Sequence, residues 1–222
     1  CSGVAASSQN PETPRLMNIN GHGEVSITPD LAYINIGVHT EDPDAAAAVN
    51  TNNTQTQKVI TALEALGIAV EDIHTINFNI YQGDKYNNEG MLEGKFFFVD
   101  NQVNITARDL SKLGDILTAA INAGANNING IQFDVSDKSE ALAQAREKAV
   151  ADAKTQAGEL ARLSGVELGE ITSLNVYNNS GIPAPYYASM GKGGGGMAEA
   201  AVPVSPGMLI ISVDVNISYI IK

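Results

Sequence analysis

The chain has 222 residues, of which 25 are Asp or Glu and 13 are Lys or Arg, and its formal net charge is −12. A chain this acidic lacks the clustered cations that bind phosphate, which argues against nucleic acid as a partner and against direct binding to anionic lipid. The length suffices for one large domain or two closely packed ones, and the absence of Trp disfavours a large aromatic ligand pocket.

The sequence begins at Cys1, its only cysteine, and continues with small and polar residues as far as Pro11 and Pro14. A lipoprotein cut by a signal peptidase begins at a lipid-bearing cysteine, so we interpret residues 1–15 as a flexible tether. The alternative is a chain trimmed at a point that happens to expose a cysteine. The lipoprotein interpretation places the protein in the bacterial cell envelope, anchored by a lipid on Cys1 at the outer membrane or the periplasmic face, or at the cell surface.

The first predicted elements are strands, because apolar and polar residues alternate. From Met17 to Ile27 the odd positions are apolar or small and the even positions are polar, which is typical of a strand with one buried face. After a turn at Pro29, the same alternation runs from Ala32 to Val38.

A helix is expected next, with Asp42 as its N-terminal cap and Gly67 at its C-terminal end. Its inward-facing residues recur at spacings of four and three: Ala45, Val49, Asn52, Thr56, Val59, Leu63 and Leu66. An unpaired buried amide costs about 1–3 kcal/mol. We therefore predict that Asn52 is buried and bonded to the backbone of a neighbouring strand. The alternative is a rotated helix that leaves Asn52 in water.

Strands are predicted next at 76–80 and 99–105, and the polar, glycine-containing stretch 81–95 between them is predicted to be a long hairpin loop. The second half of the chain is built similarly. Further along, the patterns predict a short helix from Asp109 to Gly124, a strand at 131–135, an alanine-rich helix that ends at Gly165, and a long final strand from Leu209 to Ile221. The alanine-rich helix has a thin stripe suited to close packing on a sheet: Leu142, Ala145, Ala149, Ala153, Ala157 and Leu160.

Together these elements predict an α+β fold, with three main helices packed on one side of largely antiparallel sheet. We expect one domain over residues 16–222, following the tether. The alternative is a pair of closely packed subdomains, 16–107 and 108–222.

No constellation in the sequence indicates catalysis. His22, His39 and His74 are far apart at polar positions, where exposed histidines are the ordinary interpretation and a metal site between neighbouring strands is the alternative. The serine motif of many hydrolases is absent, and the glycine tract 191–196 lacks the flanking strand and helix of a phosphate-binding loop. We predict no catalytic residue, no cofactor and no metal ligand.

Several segments, in this order, resemble the SIMPL-domain family, long described as a domain of unknown function: GHGEVSITPDLAYINIGVHT, AAAAVNTNN, LGIAVEDIHTINFNIY, DNQVNITARDLSKLGDIL, AGANNINGIQFDVSD, EALAQAREKAVADAKTQAGELARLSGVELGEI and VPVSPGMLIISVDVNISYII. The resemblance covers nearly everything from Met17 to Ile221, and the departures are KFFFVDN and the GKGGGG tract. It implies a bacterial periplasmic or envelope-attached protein without an agreed enzymatic activity. Some members are linked to defence against oxidative stress. The resemblance implies no catalytic residues in this chain.

The segment 178–206 is rich in glycine and proline, yet it contains apolar residues that are unfavourable in water. Tyr and Met suit protein interfaces, so we predict that five residues form a homo-oligomer interface: Ile182, Tyr186, Tyr187, Met190 and Met197. A mobile loop without partners is the alternative.

Two functional hypotheses follow from these patterns. The favoured one is a non-enzymatic, lipid-anchored envelope protein that self-associates, with a role in envelope or oxidative stress. The other is a hydrolase or small-ligand enzyme whose site is assembled from distant carboxylates and histidines. A deep pocket with two or more convergent ionisable groups would favour the second hypothesis.

Overall fold

The structure is a computed structural model that describes residues 14–179 and 206–222, without the side chain of Asn179. Cys1 and most of the predicted tether, residues 1–15, lie outside the described residues. The five predicted interface residues lie outside them as well: Ile182, Tyr186, Tyr187, Met190 and Met197. What the sequence predicts for these positions therefore stays a prediction.

Helices are interspersed among the strands along the chain. In chain order they are β1 (Leu16–Ile27), β2 (Leu31–Asp42), α1 (Ala45–Ala65), β3 (Ile73–Tyr86), β4 (Leu92–Ala107), α2 (Leu113–Ala123), β5 (Asn127–Asp134), α3 (Ser139–Ser164), β6 (Leu168–Asn179) and β7 (Leu209–Ile221). Short 3-10 turns at Val70–Asp72 and Leu110–Lys112 precede β3 and α2. The predicted α+β fold, with antiparallel strand pairs and a long C-terminal strand, is confirmed.

The predicted polar loop at 81–95 is wrong. β3 continues to Tyr86 and β4 begins at Leu92, so only a short turn joins the two strands. The reason is a set of cross-strand side-chain contacts, such as the rings of Tyr81 and Phe98 at a centroid distance of 5.3 Å. These contacts extend the hairpin through a stretch whose composition is typical of a loop.

The described residues form two compact units. Unit 1 contains residues 14–26, 137–179 and 210–222, and unit 2 contains residues 27–136 and 206–209. Each unit has a strand, a long helix and then two antiparallel strands: β1, α3, β6 and β7 in unit 1, and β2, α1, β3 and β4 in unit 2. The strand orders are β1-β7-β6 and β3-β4-β2-β5, so the last strand of each motif lies between the other two. The two units share this βαββ arrangement although their sequences do not form an exact repeat.

In unit 1, α3 packs on the sheet at an unusually short distance. Its buried face is a stripe of alanines: Ala141, Ala145, Ala149, Ala153, Ala157 and Ala161. Opposite this stripe, an added Cβ at Gly21 would lie 2.2 Å from the Ala149 oxygen, and one at Gly23 would lie 2.1 Å from the Ala145 oxygen. The central alanines of the predicted stripe are confirmed, but Leu160 is 43% exposed and the buried stripe ends at Ala161.

Unit 2 has a core of larger side chains. The helices α1 and α2 and the inner strands β2 and β4 contribute most of the fully buried residues, among them Ile34, Ile36, Leu63, Ile105 and Ile116. Burial of such side chains is the main favourable term in folding, at about 25 cal/mol per Å² of apolar surface.

The predicted role of Asn52 is confirmed. Asn52 has no exposed surface, and its Nδ2 donates to the backbone oxygens of Val38 at 2.9 Å and Val99 at 3.1 Å. One amide thus bonds to two neighbouring strands, β2 and β4, and fixes the position of α1 over both.

The start of α1 differs from the prediction by two residues. Asp44 is the N-terminal cap, and its Oδ1 accepts a hydrogen bond from the Ala47 amide at 2.8 Å. Asp42 instead accepts a bond from the Asp44 amide at 2.8 Å. Two acidic residues in succession therefore position the entry into the helix. Within residues 14–179 and 206–222, none of the helices is long and apolar enough to cross a membrane.

Candidate functional site

Exposed apolar side chains concentrate on two strands at the edges of the sheets, β3 and β6. In β3, Phe78 and Ile80 are 49% and 42% exposed, and in β6, Leu174 and Val176 are 48% and 43% exposed. Five further exposed residues lie on the same two strands: Ile76, Tyr81, Tyr86, Ile171 and Tyr177. Isolated exposed apolar residues are ordinary, but a row of them along an edge strand marks a candidate interaction surface.

These residues continue the apolar face of each sheet beyond its helix. Directly opposite residues in an antiparallel pair point to the same face. Ile80 is opposite Val99, which is fully buried, and Val176 is opposite Val215, which is 1% exposed. The helix-covered face therefore extends onto the edge strand, where the described residues leave it open to solvent.

The other two sheet edges differ from β3 and β6. Among the large apolar residues that are exposed in the described chain, β1 contributes only Leu16, its first residue, and β5 contributes none. An edge strand presents unpaired N–H and C=O groups to a further strand, and apolar side chains beside those groups add affinity. The apolar pattern therefore identifies β3 and β6 as the candidate interaction strands.

The helix-free face of the unit 1 sheet carries polar side chains that bond across β1 and β7. Asn216 Nδ2 donates to Asn20 Oδ1 at 2.7 Å. Two positions further along both strands, His22 Nδ1 lies 2.7 Å from Asp214 Oδ1. An amide pair is thus followed by an imidazole–carboxylate pair.

The helix-free face of the unit 2 sheet has the same two kinds of pair, between β2 and β4. Asn104 Nδ2 donates to Asn35 Oδ1 at 2.8 Å, and His39 Nδ1 lies 2.6 Å from Asp100 Oδ1. The His39 backbone also exchanges two hydrogen bonds with the side chain of Asn126, each 2.7 Å long. The two units therefore share side-chain chemistry as well as topology.

Electrostatics at His22 favour the charged imidazole. The hydrogen bond with Asp214, and to a lesser extent the charge of Glu24, raise the pKa of His22 above its ordinary value. The His22 amide donates to Asp152 at 2.9 Å, which lowers the pKa of that carboxyl group. Neither the His22 ring nor the His39 ring is bonded to a hydroxyl group in the part of the chain that the structure describes.

The sequence left a metal site between histidines open as an alternative. His22 and His39 each contact their own aspartate, in different units. Across residues 14–179 and 206–222, no three His, Cys, Asp or Glu side chains gather closely enough to hold a metal ion.

Aromatic rings extend the apolar character of β3 to its other face. The Tyr81 and Phe98 rings stack at 5.3 Å, and the Phe98 and His39 rings stack at 6.0 Å. This row crosses β2, β4 and β3 and ends at Tyr81, which is 47% exposed. Both faces of β3 therefore present apolar groups at the sheet edge.

Unit 2 also contains a cavity of about 370 Å3 between the end of α1 and the start of α2. On its wall, Arg108 Nε and Nη2 donate to the two carboxylate oxygens of Asp72 at 2.8 and 2.7 Å. These bonds lower the pKa of Asp72, whose residue is 7% exposed. Cavities of this size with a few fixed polar groups are typical of small-ligand sites.

Sequence reasoning did not identify β3 and β6 as interaction strands, because the periodicity of a strand does not show whether it is at an edge. One signal was available. Tyr81 and Tyr177 occupy the phase opposite to Ile80 and Val176, so each strand has a large aromatic residue on its otherwise largely polar face. A strand with one face in water ordinarily has polar residues in that phase.

Comparison with known proteins gives a consistent result over nearly the whole chain. The model of the SIMPL family, described as a protein of unknown function (DUF541), matches residues 17–219. The 26 kDa periplasmic immunogenic protein of Brucella melitensis is 28% identical in an alignment of 227 positions, which covers 98% of this chain and 89% of that protein. The uncharacterized protein YggE of Escherichia coli K12 is 30% identical over 190 residues, which cover 85% of this chain and 76% of YggE.

Proposed function

This chain belongs to the SIMPL family, and we propose that it is a non-enzymatic, lipid-anchored protein of the bacterial cell envelope that self-associates through its exposed edge strands. Self-association is supported by the rows of exposed apolar side chains on the edge strands β3 and β6, which the edge strands β1 and β5 lack. Pairing an edge strand with a strand of another copy satisfies backbone groups and buries apolar side chains at once.

The location is supported by relatives from Brucella whose names contain the word periplasmic. The proposed anchor is a lipid on Cys1, which analysis of the N-terminal peptide tests. The predicted interface residues in the 178–206 segment belong to the same proposal, as a second surface used in self-association. A role in envelope or oxidative stress is the biological setting that family resemblance implies.

Self-association is tested by light scattering with charged substitutions on the edge strands. The variants Ile80→Lys and Val176→Lys place a charge where a second copy would pack, so we expect the native mass to fall toward the 23.3 kDa of one chain. Gln132→Lys on β5 and Ser26→Lys on β1 add the same charge at the other two edges and should preserve the mass. A monomeric parent protein, or edge variants that keep its mass, would contradict the proposal.

The 178–206 segment is tested separately, by deleting residues 186–196 and measuring the native mass. If the deletion variant keeps the assembly state of the parent protein, this segment is not part of the interface. The role of β3 and β6 would then remain to be judged from the lysine variants alone.

Lipid attachment is tested on protein isolated from its native host. We expect detergent partitioning and a diacylglyceryl mass increment on the N-terminal peptide, both lost in Cys1→Ser and kept in Ser2→Ala. An unmodified and freely soluble parent protein would contradict the anchor.

The proposed link to stress predicts that a strain without the protein is more sensitive to peroxide than the same strain complemented with the wild-type gene.

A further inference from the structure

The cavity of about 370 Å3 in unit 2 combines an apolar floor with charged groups of both signs. Leu66, Ile68 and Ile116 supply aliphatic side chains, and Ile116 is 1% exposed. The charged residues that line it are Glu71, Asp72, Arg108, Asp109 and Lys112. All of these residues belong to unit 2, so the cavity is complete within one unit.

The Arg108 guanidinium is fixed in position by Asp72. Its Nε and Nη2 atoms donate to both oxygens of that nearly buried carboxylate, at 2.8 and 2.7 Å. A guanidinium has five N–H donors, so Nη1 and one hydrogen of Nη2 remain for another acceptor. Within the described residues, no further hydrogen bond from Arg108 occupies them. A cation that is already fixed loses little side-chain entropy when it binds a carboxylate.

The other charges around the cavity fall into one weak pair and one single carboxylate. Lys112 Nζ lies 3.9 Å from Asp109 Oδ2, beyond hydrogen-bond distance. Asp109 is also bonded to the Ser111 amide at 3.1 Å. Glu71 contributes a negative charge near Arg108 but accepts no hydrogen bond among the residues that the structure describes.

This arrangement discriminates between classes of ligand by charge. A simple anion would contact Arg108 and Lys112 but would meet three carboxylates, and a simple cation would meet the two basic groups. A molecule with both charges pairs with both sets, and an aliphatic group on it would fill the floor. We propose that the cavity binds a small zwitterion with an aliphatic side chain, such as a free aliphatic amino acid. Arg108 and Lys112 hold its carboxylate, and Glu71 holds its ammonium group.

The test is calorimetric titration of the full chain with L-leucine and three truncated analogues. 4-Methylpentanoate lacks the ammonium group, 3-methylbutylamine lacks the carboxylate and glycine lacks the aliphatic group. Each loss removes a charge-assisted bond or an apolar contact, so each analogue should bind at least about tenfold more weakly than leucine. Saturable leucine binding with this order of affinities is the expected result. No saturable binding of leucine, or equal binding of any analogue, overturns the proposal.

Variants locate the site. Glu71→Gln and Lys112→Met should each weaken leucine binding by about tenfold, whereas Glu159→Gln and Lys154→Met, which make the same changes on exposed positions of α3, should not. Chemical-shift changes at the methyl groups of Leu66, Ile68 and Ile116 in the wild-type protein provide a measurement independent of variant stability. If leucine binds without chemical-shift changes at these methyl groups, the cavity is not its binding site. The same conclusion follows if Glu71→Gln and Lys112→Met leave the affinity for leucine unchanged.

Discussion

The two units build the same βαββ motif, but the contact between helix and sheet differs in kind. In unit 1 an alanine stripe on α3 touches the glycines of β1, so backbone atoms themselves set the distance. In unit 2 large aliphatic side chains separate α1 from the sheet, and the Asn52 amide fixes the helix position. Contact between backbones leaves no room for an added atom, whereas a side-chain core tolerates swaps that conserve volume but depends on its buried polar bond.

The largest effect is expected where unit 1 is tightest. Gly23→Ala places a Cβ 2.1 Å from the Ala145 oxygen, so α3 must move away from β1 and its alanine contacts are lost. Overpacking usually costs about 1–3 kcal/mol, and a clash with backbone belongs at the upper end or above it. The free energy of unfolding from urea denaturation, with hydrogen exchange to assign the loss to unit 1, measures it.

A matched change in the same unit should have the opposite sign. Gly158 lies in the interior of α3 and an added Cβ meets no atom within 4 Å. Gly158→Ala should stabilise the protein by about 0.5–1 kcal/mol because alanine favours the helix. Equal stability of Gly23→Ala and Gly158→Ala would show that the close backbone contact is unimportant.

The second prediction concerns the polar bond in unit 2. Asn52→Leu removes the donor shared by the Val38 and Val99 oxygens, so we expect unfolding to become easier by about 1–3 kcal/mol. The control is Asn53→Leu at the exposed neighbouring position, which should stay within about 0.5 kcal/mol of the parent. An unchanged melting temperature for Asn52→Leu would mean that the amide bond contributes nothing to α1 placement.

The third prediction distinguishes unit 2 by its response to acid. The Asp72 pKa is lowered by the bonds from Arg108, so this pair stabilises the fold fully above about pH 4, the unfolded value. Its contribution, about 1 kcal/mol or less because Arg108 is largely exposed, is lost as the pH falls through the folded pKa. Urea midpoints between pH 6 and pH 3 should therefore fall less steeply in Asp72→Asn than in the parent.

The smallest effect is expected in unit 1, where the stabilising contribution of the His22–Asp214 pair is lost as the pH rises. The raised pKa of His22 means that its bond with Asp214 contributes fully below about pH 6.5 and is lost as the pH rises through the folded pKa. Since His22 is half-exposed, a few tenths of a kcal/mol are expected. His22→Gln should flatten the stability profile between pH 6 and pH 8, and an identical profile in both proteins would exclude a role for this pair.

Local pattern was sufficient for most of the elements and for one buried contact. Alternating residues predicted β1 and β2, and the phase of α1 placed Asn52 against the sheet, where it lies. The error at 81–95 arose because glycines and polar residues are typical of loops. Cross-strand partners, such as Phe98 opposite Tyr81 and Phe96 beneath Lys85, show that β3 continues.

The candidate surfaces depend on information that local pattern does not contain. Strand order determines that β3 and β6 are edges, and the extent of each helix determines that Ile80 and Val176 remain uncovered. The pairing of His22 with Asp214 joins residues separated by 192 positions. Periodicity describes neighbours within one element and is silent on contacts between elements so far apart in the sequence.

The interruption of unit 1 by the chain of unit 2 affects the order in which the protein can fold. Asn20 of β1 and Asn216 of β7 are bonded across 196 positions, and nearly all of unit 2 lies between them. During synthesis from the N-terminus, β2 to β5 can pair while β7 has still to be made, so unit 2 should acquire hydrogen-exchange protection first. Until the last strand emerges, β1 lacks its sheet neighbour β7, and its apolar face stays exposed on the nascent chain.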